Sequence, residues 1–424
     1  MPSPAQQQRI LDAVDAAFDD QLAFTQELVR HPSLRTRERS AQDLLHAAMA
    51  GRGLEMDRWS LDPAELAGHE GGGAVTVSYD DVVNVVGTYH PAREAGRSLI
   101  LNGHVDVVPE GPAEEWSRSP WDAAVLDGWM YGRGAGDMKA GLAANLFAFD
   151  AVRAAGLDPT GRIHLQSVVE EECTGNGSLS ALLRGYRADA VIIPEPEEDM
   201  LVRANVGVLW GRVRVTGHPT HPREMAAGFN AIDAAYTAMG ALRELEEEWN
   251  AERARHRWFE DLAHPINFNF GGIAGGDWPS SVPAWCEFDL RAAVYPGVPA
   301  ERAWAAIEER LARLGTGSAP IRAVATRTGF FAEGYVLEPG SAAEELLGRT
   351  HRAVFDAELE SFTTPGYLDG RVFTLYGGIP TLVYGPVSEA IHGFDERVSV
   401  KSVRRITQSI ALFIAGWCGV EERA

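Results

Sequence analysis

Ile10, Val14, Phe18 and Leu22 recur at every fourth position and lead into Leu28 and Val29. That spacing predicts an amphipathic helix ended by His31-Pro32. Residues 40–51 predict a second helix, and residues 60–80, rich in Gly, Glu and Ala, read as a surface excursion. The pattern then shortens into apolar runs. Residues 81–89 carry Val82, Val83, Val85 and Val86, and Leu99 to Leu101 form a run closed by Asn102-Gly103. Runs of this kind, bounded by turn residues, suit buried parallel strands. Residues 163–169 and 190–193 repeat the pattern. Between them and the earlier runs, a helix presents Leu142, Leu146 and Phe149 on one face. Strands alternating with helices predict an α/β domain with a mostly parallel sheet.

From Val202 the pattern changes. Residues 208–215 alternate apolar residues with Trp, Arg and Gly, as a half-buried antiparallel strand does. Helices are expected at 231–250 and 300–314, and strands at 266–270, at 285–293 and after the second helix. Two helices on an antiparallel sheet make a compact α+β unit, expected at residues 206–327. It is inserted between a first part, 1–205, and a second part, 328–424. In the second part, helices are expected at 342–355 and 400–417, and residues 374–376 and 380–384 frame another strand.

Composition narrows the function classes. The 424 residues are 45% hydrophobic and 23% charged, which suits a globular chain. A formal net charge of −22 disfavours nucleic-acid and anionic-membrane partners, both of which need basic patches. Cys173, Cys286 and Cys418 are too scattered for a metal motif and fit a reducing compartment. The start of the chain has no basic segment followed by an apolar stretch, and no 18-residue apolar span occurs. A cytoplasmic protein is expected.

The chemistry-bearing residues collect at strand ends. His104-Val105-Asp106 closes the run at 99–101, and an extended His-x-Asp points both side chains to one side. Asp106 would then hold one imidazole nitrogen while the other faces a metal. Gly132 to Gly141 is a glycine-rich turn before a helix, a setting that also suggests phosphate binding, although its Gly-x-Gly-x-Gly spacing is neither a dinucleotide fingerprint nor a Walker loop. Asp137 within it reads equally as a helix N-cap. Glu170-Glu171-Glu172 follows the strand at 163–169, Glu195 lies between Pro194 and Pro196, and His392 follows the strand near 380–384. Two imidazoles and several carboxylates are the mixed donor set that Zn²⁺, Co²⁺ or Mn²⁺ accepts. Five such ligands hold two ions if one carboxylate bridges, and a carboxylate left over serves as general base.

In this order, Gly103-His-Val-Asp106, Gly132-Arg-Gly-Ala-Gly-Asp-Met-Lys139, Glu170-Glu-Glu-Cys-Thr-Gly175, Pro194-Glu-Pro196, Gly217-x-x-x-His221, Asp369-Gly-Arg371 and His392-x-x-Asp-Glu396 resemble the M20 metallopeptidases and deacylases. That group includes acetylornithine deacetylase, succinyl-diaminopimelate desuccinylase, aminoacylase-1 and the glutamate carboxypeptidases. The resemblance covers nearly the whole chain. It implies a metallohydrolase domain with an inserted lid and dimerisation domain, and two divalent metals, Zn before Mn or Co. It implies that His104 and Glu195 hold one ion, that His392 and Glu172 hold the other, and that Asp137 bridges them. Glu171 would be the general base that takes a proton from the attacking water, and Asp106 would orient His104. His221 would reach a partner subunit's site to stabilise the oxyanion, and Arg371 would contact a substrate carboxylate, although its residue type suits a structural ion pair equally.

The chain departs from the family where substrate is gripped. Gly275 to Pro283 carries Trp278 and Ser280-Ser281 where many relatives carry asparagine, and Leu368 replaces the usual Thr or Ser before Asp-Gly-Arg. Trp278 and Ser281 are therefore expected at an altered, more aromatic substrate pocket. The expected reaction is C–N hydrolysis of a small molecule, first an N-acyl amino acid. The rivals are a dipeptide or carboxypeptidase substrate, hydrolytic deamination of an aromatic amine, and a non-catalytic binding protein on the same scaffold. A homodimer through the inserted domain is expected.

Overall fold

A computed structural model describes residues 1–316 and 321–423. Helix α1, Pro4–Val29, opens with a capping box: the Ser3 hydroxyl accepts from the Gln6 amide, and the Gln6 side chain accepts from the Ser3 amide. It buries Ile10, Val14 and Phe18 and stops two residues short of Pro32. Helix α2, Arg39–Gly51, leads to strand β1, Glu55–Ser60, and then to β2, Val83–Tyr89, and β3, Leu99–His104. Helix α3, Ala140–Ala154, precedes β4, Ile163–Val168, and β5, Val191–Ile193.

In the inserted region lie β6, Gly207–Thr216; α4, Ala231–Ala251; β7, Phe268–Gly275; β8, Trp285–Val294; α5, Ala300–Arg313; and β9, Arg322–Ala332. Helix α6, Ala342–Phe355, strand β10, Thr381–Val383, and helix α7, Val400–Cys418, complete the frame.

The first sheet has the order β1-β2-β4-β3-β5-β10. β4, β3, β5 and β10 run parallel, so their carboxyl ends emerge together, while β2 is antiparallel to β4. Every residue of β3, β4 and β5 is buried, His164, Gln166 and Ser167 of β4 included, as in strands covered on both faces. The second sheet, β7-β8-β6-β9, is antiparallel, and α4 and α5 cover it. Its core is separate from the first and runs from Ala204 to Ala332.

The chain passes between the two cores at one place. Leu201–Asn205 pairs with Tyr335–Val336 as the chain leaves and returns. Gly207 and Gly334 face each other there. A Cβ on Gly207 would stand 2.4 Å from the Ala332 carbonyl oxygen, and one on Gly334 would stand 2.4 Å from that of Asn205. Only glycine fits a backbone approach this close.

Three local expectations change. Residues 60–80 are a surface excursion only in part: Asp62 to Glu65 are exposed, but Leu66, Gly71, Gly73 and Tyr79 are buried, and the Gly73 amide donates to Asn176 Oδ1 at 2.9 Å. Glycine-rich composition suits burial here because the segment threads between side chains. Residues 374–376 lie in a helical turn, Val372–Gly377, since so short an apolar run carries no period to separate helix from strand. The strand expected at 266–270 begins at Phe268 and extends to Gly275, with a register shift between Phe270 and Gly272. No helix among the described residues is long and apolar enough to cross a membrane.

Candidate active site

The parallel topology brings the strand ends together. β3 ends on His104, β4 runs into Glu170-Glu171-Glu172, β5 runs into Glu195, and the loops after β10 carry His392. Asp137 comes from the glycine-rich turn before α3. His104 Nε2 is 3.0 Å from Asp137 Oδ1, 3.6 Å from Glu195 Oε2 and 3.9 Å from Glu171 Oε2. His392 Nε2 is 3.3 Å from Asp137 Oδ2 and 3.1 Å from Glu172 Oε2. One carboxylate, Asp137, thus gives one oxygen to each imidazole.

His104, Asp137 and Glu195 form one set whose ligand atoms lie within 4.8 Å of one another, and Asp137, Glu172 and His392 form another. Glu171 and Glu172 also share a set with His104, so Glu171 stands against both. The donor chemistry fits divalent cations. Four carboxylates crowd two imidazoles, and Glu195 Oε1 is buried with no hydrogen-bond partner among the described residues. Burial and the neighbouring carboxylates raise the Glu171 carboxyl well above its usual range, and Glu195 is pushed up to about 7. Burial opposes charge on His104, yet Glu195 and Glu171 outweigh it and raise the imidazole well above its ordinary value. Glu172, ahead of burial, raises His392 to about 11.

A second layer fixes these groups. His104 Nδ1 faces the backbone carbonyl of Asp106 at 2.9 Å, while the Asp106 carboxylate stands 3.6 Å away. The expected orienting group is thus the carbonyl of Asp106. Its carboxylate instead accepts the amides of Glu171 at 3.4 Å and Glu172 at 3.1 Å, which sets the acidic turn. Glu170 turns away at φ +64° and takes Arg35 Nε at 2.6 Å, Nη2 at 2.8 Å and the Tyr79 hydroxyl at 2.6 Å. Glu396, quoted in the sequence pattern without a role, accepts the amides of Gly136 at 3.0 Å and Asp137 at 3.2 Å and pairs with Arg133 at 2.6 Å. The turn's donors are therefore satisfied from within the chain, and phosphate binding there is withdrawn. Burial and Glu170 push the Cys173 thiol far up, which disfavours its thiolate.

The site opens on a cleft of about 1080 Å³ between the two cores. The expected substrate contacts do not line it. Arg371 is fully buried, and its guanidinium donates to the Glu333 carbonyl at 3.1 Å, the Gly71 carbonyl at 3.4 Å and the Tyr376 hydroxyl at 2.8 Å. These partners are up to 300 residues away in sequence, so the role was hidden from local reading. Trp278, 68% exposed, and Ser281 sit on the turn between β7 and β8, outside the cleft of their own chain. His221 is exposed and also outside it, with Nδ1 accepting the Arg223 amide at 3.1 Å. Trp210, Arg291, Phe330, Tyr367 and Glu197 line the cleft instead. Of these, Glu197, two residues after Glu195, was the one that local spacing in the sequence could have offered.

Residues 100–416 match the family model described as peptidase family M20/M25/M40. A relative in Halalkalibacterium halodurans, N-formyl-4-amino-5-aminomethyl-2-methylpyrimidine deformylase, is 28% identical over 97% of both chains. The succinyl-diaminopimelate desuccinylase of Acidovorax ebreus is 28% identical over 90% of this chain and 94% of its own. In fold, the chain matches a di-peptidase of Saccharomyces cerevisiae with a TM-score of 0.79 at 14% identity, covering 98% of this chain and 99% of that one. With the family pattern spanning both parts of the first core and the whole insertion, the chain belongs to peptidase family M20/M25/M40, hydrolases of amide-type carbon–nitrogen bonds that use divalent metal ions.

Proposed function

We propose that this chain is a two-metal deacylase that cuts the amide between a short acyl group and an amine. The observation that carries the reading is the shared carboxylate: Asp137 faces His104 with one oxygen and His392 with the other. His104, Glu195 and Asp137 would hold one ion, and Asp137, Glu172 and His392 the other. When bound, such ions polarise the amide carbonyl and acidify water. Glu171, beside both sets, takes the proton from the attacking water and delivers it to the leaving amine. Burial supports that duty, because a carboxyl raised above its usual range returns a proton more readily.

Charge on the carbonyl oxygen would be met by His221 of a second copy. The position of His221 outside its own cleft supports supply in trans. Met225, Tyr236, Ile273 and Trp278, exposed apolar residues of the inserted region, support a homodimer there, with β7 as an unpaired sheet edge. Three free thiols support the reducing, cytoplasmic compartment.

The substrate expected first was an N-acyl amino acid. Arg291, a half-buried guanidinium on the cleft whose one hydrogen bond among the described residues is to the Pro365 carbonyl, favours an anionic group and keeps that reading. The relative in H. halodurans supports a second reading, an N-formyl amine on an aromatic ring. The test is amine release by zinc- or manganese-loaded protein from N-formyl, N-acetyl and N-succinyl substrates, with dipeptides and aromatic amines alongside. Chelator-sensitive hydrolysis of N-acyl substrates is expected. Release from dipeptides or arylamines alone would move the reaction to a rival class, and no release from any would overturn the reading.

A further inference from the structure

One side of the cleft is a continuous aromatic wall. Trp210 on β6 meets Phe330 on β9 edge to face, with ring centroids 5.1 Å apart at 90°. Phe330 in turn meets Tyr367 at 4.2 Å and 41°. All three line the cleft that holds Glu171, Glu195 and His392. The Tyr367 hydroxyl is engaged with Asp369 Oδ1 at 2.8 Å, which fixes its ring. A half-buried carboxylate, Glu197, also lines the cleft, and its side chain has no hydrogen bond or ion pair among the described residues. The carboxylate faces the cleft with its acceptor sites unused by the described residues, so it can accept from a donor that arrives with a ligand.

We infer that the amine half of the substrate is a flat aromatic ring that carries a hydrogen-bond-donating amino group, the ring packing against the cluster of Trp210, Phe330 and Tyr367 with Trp210 as its stacking partner, and the amino group donating to Glu197. The inference rests on the deacylase reading only in placing the leaving amine in this cleft. The wall and the acid decide the rest. Aliphatic amines of equal size lose the stacking, and rings without an amino group leave Glu197 unpaired. Trp210 and Phe330 come from the inserted sheet and Glu197 from the loop after β5, so the ring would be gripped from both cores.

The test is calorimetric binding of free amines to the metal-loaded protein, which requires no turnover. The probes are benzylamine, cyclohexylmethylamine, 5-aminomethyl-2-methylpyrimidine and its 4-amino derivative. Stacking on aromatic side chains predicts that benzylamine binds about 5- to 100-fold tighter than the saturated ring. The 4-amino group should add about a further tenfold. Trp210→Leu should collapse the first ratio, and Glu197→Leu the second, with each leaving the other ratio in place. A structural defect would lower all four affinities together and change neither ratio. Equal binding of the flat and saturated rings by the unmodified protein would overturn the wall, and an indifferent 4-amino group would overturn Glu197. Retained ring selectivity with no amide hydrolysed would instead sink the deacylase reading and leave the recognition standing.

Discussion

Glu396 does two things at once, and a substitution separates them. Its carboxylate is buried, pairs with buried Arg133 at 2.6 Å, and accepts the amides of Gly136 and Asp137. Glu396→Gln keeps an oxygen for those amides but leaves the Arg133 guanidinium without a counter-charge. Stranding one member of a buried pair costs about 3–5 kcal/mol. Spread over the unfolding entropy of a chain this long, that lowers the melting temperature by about 3–6 °C. The Gln amide nitrogen, set against the Arg133 cation, also turns the Gln oxygen away from the two amides, so Asp137 is presented less rigidly to both imidazoles. Loss of a group that orients a metal ligand weakens binding about 10- to 100-fold. Calorimetric melting of the apoprotein reads the first effect, and competition with a chelating dye reads the second. Adding Arg133→Met removes the stranded charge, so most of the melting temperature returns while metal affinity stays low. Unchanged metal affinity in Glu396→Gln, or its full recovery in the double variant, would refute the link between this carboxylate and the site.

Glu171→Gln should bind both metals and lose about 10²- to 10⁴-fold in turnover; metal analysis with single-turnover kinetics checks this, and comparable turnover would remove Glu171 as the base. His392→Ala should surrender one metal of two, and full occupancy would contradict its role as a ligand. His221→Ala should be inactive yet regain activity when mixed and refolded with Glu171→Gln, because one hybrid site then has both groups; absence of complementation, or a fully active monomer in sedimentation, would defeat supply in trans. His164 lies buried against Thr88 Oγ1 at 2.9 Å, and burial lowers its pKa to about 4. The unfolded value is about 6.5, so the folded chain binds fewer protons, and the stability this residue contributes is full above pH 6.5 and lost as pH falls towards 4. The span is worth about 3 kcal/mol, and His164→Gln should flatten that limb of a melting-temperature profile.

The strand-end groups were legible because each candidate ligand follows its own local signal: an apolar run, then an acid or imidazole. His104, Glu172 and Glu195 announce themselves that way, and the parallel order of β4, β3, β5 and β10 gathers them. Asp137 and His392 sit in loops, where their position beside a strand or helix end offers them as candidates, and the family resemblance added the roles of bridge and second-ion ligand. For Arg371 the choice between a substrate contact and a structural role was open in the sequence, because its partners, Gly71, Glu333 and Tyr376, are set by tertiary packing and leave no mark in spacing. Tyr79 and Gly73 were hidden for the same reason, inside a glycine-rich stretch that looked solvated but packs beside Glu170 and Asn176. The aromatic wall was invisible as a wall. Trp210, Phe330 and Tyr367 come from three separate segments, and only the antiparallel pairing of β6 with β9 sets two of them side by side.

The groups that would hold metal all come from one core, whereas Trp210, Arg291 and Phe330 come from the other, and the chain joins the two at a single two-strand crossing. Bond-breaking would therefore be separable for evolution from the part of the cleft that the second core supplies. A mutation in β6, β8 or β9 redraws the face offered to the amine without shifting a ligand atom, so new amides become accessible by drift in one segment of the sequence. Gly207 and Gly334 mark the limit of that freedom: the sheet is open to rewriting, but the junction that aims it at the reacting bond admits no side chain.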